Sequence, residues 1–161
     1  MLSTAQKGRF DSLEQEAFLN LWRTYDKLKE LEDAMFGSVD LSAQQYNTLR
    51  LLKVSHPTPM PTLSLGARLI SRAPDMTRLL DKLESRGLIQ RARREDNRRV
   101  VDVSLTLAGL ELLDQLAEPV RKCHHQQLGH LTSAELETVI QLLKKVRAPH
   151  ENHDNLSIAD K

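Results

Sequence analysis

The sequence predicts a mainly α fold with a small β-hairpin, and three observations carry that prediction. Apolar residues recur at helical spacing through most of the chain. One stretch, 88–105, instead places β-branched, roughly alternating residues on either side of a polar turn. Between the second and third helical patterns, three prolines fall within 56–61 and forbid helix there.

Taken in order, Phe10, Leu13, Ala17, Leu21, Leu28 and Leu31, with Phe18, Trp22 and Tyr25 beside them, mark one long amphipathic helix over 10–35, punctuated by Gly37. A second helix opens at 41–42 with Ser42 as N-cap and carries Tyr46, Leu49 and Leu52 to about residue 55. A short third helix spans 63–70, and 71–73 form a break. Pro74 suits the first position of a fourth helix, 74–85, because its missing N–H would be unbonded there anyway. Met76, Leu79, Leu80 and Leu83 form its buried face, and Gly87 suits its C-terminal cap. The hairpin follows, with strands around Leu88–Arg94 and Arg99–Leu105 and the turn Glu95-Asp96-Asn97. Thr106 is the expected N-cap of a fifth helix bearing Leu107, Leu110, Leu113, Leu116 and Val120, which Pro119 should kink. Thr132 and Glu135 have capping-box spacing at the start of a sixth helix, which carries Leu136, Val139, Ile140, Leu143 and Val146. From about Ala148 the sequence turns polar, and disorder is expected.

At 161 residues, with 40% apolar and 28% charged side chains, the chain can bury a core of its own. No apolar run approaches the roughly 18 residues of a membrane span, and the first seven residues lack the apolar stretch of a secretory signal. The single cysteine, Cys123, allows no intrachain disulfide. These features together predict a cytoplasmic protein with no membrane partner.

Net charge is only +1, but it is unevenly spread. Residues 68–99 hold 10 basic and 5 acidic side chains, whereas 1–40 and 100–161 each carry net −3. A basic middle between acidic flanks suits contact with a polyanion.

Two short helices, a tight turn and a hairpin describe a winged helix-turn-helix. With Met76, Leu80 and Leu83 facing inward, Asp75, Arg78 and Lys82 point outward at i, i+3 and i+7. An arginine there can donate twice to guanine, an aspartate can accept from cytosine N4, and Thr77 can meet phosphate or a thymine methyl. The hairpin concentrates Arg91, Arg93, Arg94, Arg98 and Arg99. Such crowding is repulsive unless a polyanion or nearby acids relieve it, and an arginine at the tip suits a narrow minor groove.

The run from Leu65-Gly66-Ala67-Arg68-Leu69-Ile70 to Ser85-Arg86-Gly87-Leu88-Ile89-Gln90-Arg91 resembles the helix-turn-helix of MarR-type regulators. Asn97-Arg98-Arg99-Val100-Val101-Asp102-Val103-Ser104-Leu105-Thr106-Leu107-Ala108-Gly109 resembles their wing and the helix after it. The motif-level match covers 63–109, and the layout matches over about 10–147. The resemblance implies a homodimer with the first, fifth and sixth helices interleaved. It also implies a palindromic double-stranded DNA operator and repression that a small molecule or oxidant often relieves. On this reading 1–40 and 106–147 are dimerisation regions, 41–105 is the winged helix-turn-helix domain, and 148–161 is a disordered tail. The family's wing commonly carries Asp-x-Arg. Here the arginine is Arg99 and the expected aspartate is Asn97, with Asp96 one place earlier, so either Arg98 or Arg99 could be the minor-groove residue.

The expected DNA-binding set is Arg72, Pro74, Asp75, Thr77, Arg78, Lys82, Arg93, Arg94, Asn97, Arg98 and Arg99. Trp22, Tyr25 and Tyr46 are candidate contacts for a small-molecule effector, although core or dimer contacts are the plainer reading of these rings. The family's oxidant sensors carry a reactive cysteine near the N-terminus, and none is present here. Cys123 reads as inert packing unless Arg121, Lys122 and His124 lower its pKa. His124, His125 and His130 lack the spacing of helical metal ligands, and no enzyme motif is found, so neither metal, cofactor nor catalysis is expected. The alternative function is a winged-helix protein-interaction module whose wing charges are paired internally.

Overall fold

The computed structural model describes residues 9–71 and 75–151. Its elements are α1 (Leu13–Gly37), α2 (Ala43–Ser55), β1 (Met60–Pro61), α3 (Thr62–Arg68), α4 (Met76–Ser85), β2 (Ile89–Arg93), β3 (Val101–Leu105), α5 (Leu107–Leu128) and α6 (Ser133–Arg147). A 3-10 turn, Ala148–His150, follows α6, so the expectation of a disordered tail from Ala148 is displaced by four described residues. An Arg147–Glu151 ion pair of 3.0 Å spans that turn, and 152–161 lie outside the described residues.

Helix starts follow from side chains that satisfy otherwise unbonded N–H groups. Ser42 and Thr132 each form a full capping box, with Gln45 and Glu135 respectively. Thr106 Oγ1 accepts from Gly109 N at 3.1 Å. Ser12 Oγ accepts from Gln15 N at 3.1 Å, which sets the start of α1 three residues after Phe10. Asp75 caps α4, so the helix begins at Met76. The expected start at Pro74 lies outside the described residues. Helix α3 stops at Arg68 because Leu69 turns to extended backbone and buries its side chain.

The sheet order is β1-β3-β2, all antiparallel, with Ile89 opposite Leu105 and Arg93 opposite Val101. Strand β1 was not anticipated in the proline-rich stretch. It survives as a two-residue edge in which Met60 enters the core, and an edge position tolerates Pro61. Strand β3 starts at Val101, leaving Arg99 and Val100 in the turn.

Phe36, Leu49, Leu52, Leu65, Leu80, Leu83, Ile89 and Val103 are almost fully buried and join α1's end, α2, α3, α4 and the sheet in one core. Leu113, Leu116 and Val120 of α5 extend it. Helix α5 runs as one helix through Pro119. Gln127, a buried polar residue of α5, donates from Nε2 to the Leu28 carbonyl of α1 at 2.9 Å and faces His124 Nδ1 at 3.0 Å through Oε1. The contact is satisfied, as burial requires.

Elsewhere the long helices are bare. In α1, Leu13, Phe18, Trp22 and Tyr25 are more than half exposed, and α6 has no buried residue. No helix among the described residues is long and apolar enough to cross a membrane.

Candidate nucleic-acid interface

The site begins with helix α4. Leu79, Leu80 and Leu83 are buried and Met76 is partly so, which turns Asp75, Thr77, Arg78, Asp81 and Lys82 to solvent. The far end of the helix is closed by a Schellman motif. Leu88 N donates to Leu83 O at 3.1 Å and Gly87 N to Glu84 O at 2.8 Å. Gly87 adopts φ +69°, a conformation in which a Cβ is costly. Leu83 and Leu88, the hydrophobic pair of that motif, are both buried in the core. The chain thereby leaves the helix directly into β2, and the wing is tied to α4 by covalent and packed contacts.

Among the described residues, Arg78 and Lys82 have no side-chain partner, and the same is true of Arg98 and Arg99 in the wing. All four are exposed. Asp75 is differently engaged. Its Oδ1 accepts from Arg78 N at 2.9 Å, so this carboxylate caps α4 and occupies the N-terminal position where a phosphate would otherwise be favoured. The expectation that Asp75 reads a cytosine is left with only its second oxygen to do so.

The wing arginines divide into two groups. Arg94 Nε donates to Asp102 Oδ2 at 2.7 Å across the hairpin, and this pairing raises the Arg94 pKa above its ordinary value. Arg91 donates to Glu84 and Asp81 of α4, which together raise its pKa, Glu84 most. Arg93 Nη1 donates to the Arg98 carbonyl at 2.9 Å and keeps its charge in solvent. Asn97 Oδ1 accepts from Arg99 N at 3.2 Å, and Val100 N donates to Asn97 O at 2.9 Å. Asn97 therefore shapes the tip by an Asx-type bond to backbone. A neutral amide in that position holds the loop without drawing the Arg99 guanidinium into an ion pair.

Arg99 and Thr77 line a common groove with Thr62, Leu63 and Val101, which brings the wing tip beside the N-terminal half of α4. On the other flank of α4, Arg86 donates to the carbonyls of Asp40 at 2.5 Å and Val39 at 3.2 Å. That contact ties the end of α4 to the α1–α2 corner. Sequence reasoning missed it because the acceptors are main-chain groups 46 and 47 residues away. Arg72 and Pro74 lie outside the described residues.

Among the described residues, Trp22 and Tyr46 line two different grooves. Trp22 lines a groove with Arg9, Phe10, Leu19, Arg23 and Asp26. Tyr46 stacks at 4.6 Å on Phe36 and faces a separate groove with Arg50, Val54 and Leu113. Tyr25 lines neither. Cys123 is buried, and burial together with nearby Glu32 pushes its pKa up rather than down. The cations considered as activators, Arg121, Lys122 and His124, do not reverse this. Arg121 instead pairs with Glu118, and His124 faces Gln127.

Comparison with known proteins converges on one family. The MarR family model matches residues 41–101, which run from α2 through the wing. The multiple antibiotic resistance protein MarR of Escherichia coli is 30% identical over 127 residues, covering 74% of this chain and 83% of that protein. A MarR transcription factor from Planctomyces limnophilus is 58% identical in its crystal structure, with a TM-score of 0.68 over 85% of this chain and 99% of that one. A mutant Escherichia coli MarR bound to operator DNA superposes with a TM-score of 0.73 at 26% identity, covering 84% of this chain and 99% of that one. The geometry of α4 and the wing, and these likenesses, establish that the chain belongs to the MarR family of winged helix-turn-helix transcription regulators.

Proposed function

We propose that the protein is a sequence-specific repressor that binds a palindromic operator as a homodimer and is released by a small-molecule effector. The observation that carries this reading is the set of exposed, unpaired cations on two adjacent elements: Arg78 and Lys82 on α4, Arg98 and Arg99 on the wing. Helix α4 enters the major groove, where Arg78 reads guanine and Lys82 and Thr77 meet backbone or base edges. The wing reaches the adjacent minor groove with Arg99 or Arg98, and Arg93 adds charge nearby.

The homodimer is supported by the bare faces of α1 and α6. Leaving Phe18, Trp22, Tyr25, Ile140, Leu142 and Val146 in water is unfavourable, and a second copy offers the same surfaces in return. The regions 1–40 and 106–147 then form the dimer and 41–105 the DNA-binding lobe. Two-fold symmetry sets half-sites about one helical turn, roughly 10 bp, or a multiple apart. Such a regulator works in the cytoplasm, and its effector binds where dimer helices and DNA-binding lobe meet, with Trp22, Tyr25 and Tyr46 drawn from either protomer.

The rival reading, a protein-interaction module with an internally neutralised wing, gains from the pairing of Arg91 and Arg94. It does not account for Arg93, Arg98 and Arg99, which no carboxylate among the described residues neutralises. Selection of bound sequences from a random duplex pool at two salt concentrations tests the proposal. An enriched inverted repeat with salt-sensitive affinity supports it. Uniform weak binding by a folded dimer overturns it in favour of the rival.

A further inference from the structure

Arg91 carries wing charge but is turned away from the tip. Its Nε donates to Glu84 and its Nη2 to Asp81, so one guanidinium forks onto two carboxylates a helical turn apart. Its side chain is 25% exposed, against 55% for Asp81 and 38% for Glu84. On an ideal helix Thr77, Asp81 and Glu84 lie on one flank, beside the face bearing Arg78 and Lys82. That flank looks toward the wing, as the groove shared by Thr77, Arg91 and Arg99 shows. The planar fork of an arginine fixes both angle and distance, which a lysine cannot. Among the described strands β2 pairs with β3 alone. The base of the wing is held by the Schellman turn and by Leu88 and Ile89 in the core, and the Arg91 fork adds a polar contact with fixed geometry between β2 and the outer flank of α4.

We propose that Arg91, with Asp81 and Glu84, is a positioning clamp that sets the wing at a fixed offset from the recognition helix, so that major- and minor-groove contacts reinforce each other only on the correct sequence. Arg91 is on this account a specificity-determining residue that touches no base. The clamp also accounts for two acids on a DNA-facing helix, where unpaired carboxylates would repel phosphate.

The inference rests on the DNA-binding reading, and charge allows the two to be separated. Asp81→Asn with Glu84→Gln opens the clamp and removes two negative charges, whereas Arg91→Gln opens it and removes a positive one. Arg91→Lys opens it without changing charge. Affinity for the selected operator and for random duplex is measured for each full-length variant, with a thermal melt to verify folding. The expected result is a fall of about tenfold in the operator-to-random ratio in all three, a size typical of networked residues. Affinity for random duplex should meanwhile rise in the acid-free variant and fall in Arg91→Gln. Charge alone would leave the ratio unchanged while moving both affinities together. A ratio within about twofold of the parent in Arg91→Lys and the acid-free variant therefore overturns the clamp but leaves DNA binding intact. A parent that selects no sequence overturns both. In any variant with a lowered melting temperature, amide exchange across β2 and β3 without DNA gives a second readout. Faster exchange confined to the wing supports the clamp, and parental exchange there refutes it.

Discussion

The first turn of α5 presses on the base of the wing, and Gly109 makes that approach possible. A Cβ built there would lie 2.3 Å from the Leu88 carbonyl oxygen and 2.7 Å from Leu105 Cδ1. The first is backbone and cannot rotate away. It is moreover the oxygen that accepts from Thr106 N at 3.1 Å. Gly109→Ala must therefore shift α5 outward or push β2's lead-in residue inward, against Leu83 and Ile89, which are fully buried. Overpacking of this kind costs about 1–3 kcal/mol, and weakening the Thr106–Leu88 bond adds roughly 1 kcal/mol. Alanine's helix propensity returns somewhat less than 1 kcal/mol. The net expectation is a loss of about 1–3 kcal/mol, or roughly 2–12 °C in melting temperature for a chain of this size. Gly37→Ala is the control, because nothing lies within 4 Å of its built Cβ. Thermal unfolding followed by circular dichroism at one fixed protein concentration measures both, since the proposed dimer would make the melting point concentration-dependent. A Gly109→Ala melt indistinguishable from Gly37→Ala would refute the close-approach argument.

Four further outcomes are expected. Arg78→Ala should flatten discrimination among operator variants at one base pair per half-site. Arg99→Ala should weaken all duplexes alike and reduce the salt slope by about 1 per protomer, both read by titration over a salt series. Asp75→Ala should cost about 1 kcal/mol of stability through loss of the α4 cap, measured by urea unfolding, and should leave sequence preference unaltered if the carboxylate is engaged in capping. Cys123 should resist alkylation in the native protein and react quickly once unfolded. Its folded-state pKa is raised by burial, so its contribution to stability is full below the ordinary thiol value, about 8.5. That contribution is lost as pH rises beyond it. Wild-type protein should therefore lose more stability above that pH than Cys123→Ser, as denaturation midpoints across alkaline pH would show.

The wing charge illustrates why composition overstates an interface. Five arginines fall within 91–99, yet two of them serve the protein's own architecture. Arg94 closes the hairpin on Asp102, whose other oxygen, Oδ1, is buried without a partner. Arg91 braces α4. The remaining three stand near the exposed tip, and no carboxylate among the described residues pairs with them. A count of basic residues can announce a polyanion-binding segment. Which cations remain available depends on which acids the fold brings alongside.

What the sequence by itself determined is what short-range physics controls. Ser42, Thr106 and Thr132 cap helices through bonds spanning three residues, and each was legible as a cap. Gly87 ends α4 because a positive φ is required there. The 3.6-residue period placed Leu79, Leu80 and Leu83 inward and Arg78 and Lys82 outward. The alternation in 101–105 marked β3. Tertiary structure decided the rest. Strand β1 exists only because β3 offers Met60 and Pro61 an edge, which no local propensity in a proline-rich segment indicates. The grip of Arg86 on the α1–α2 corner joins residues 46 and 47 apart, the pairing of Arg91 with α4 depends on how the strand turns back beside the helix, and the burial of Cys123 depends on how α5 packs. Periodicity can say that a side chain lies on a face, but only packing determines what that face meets.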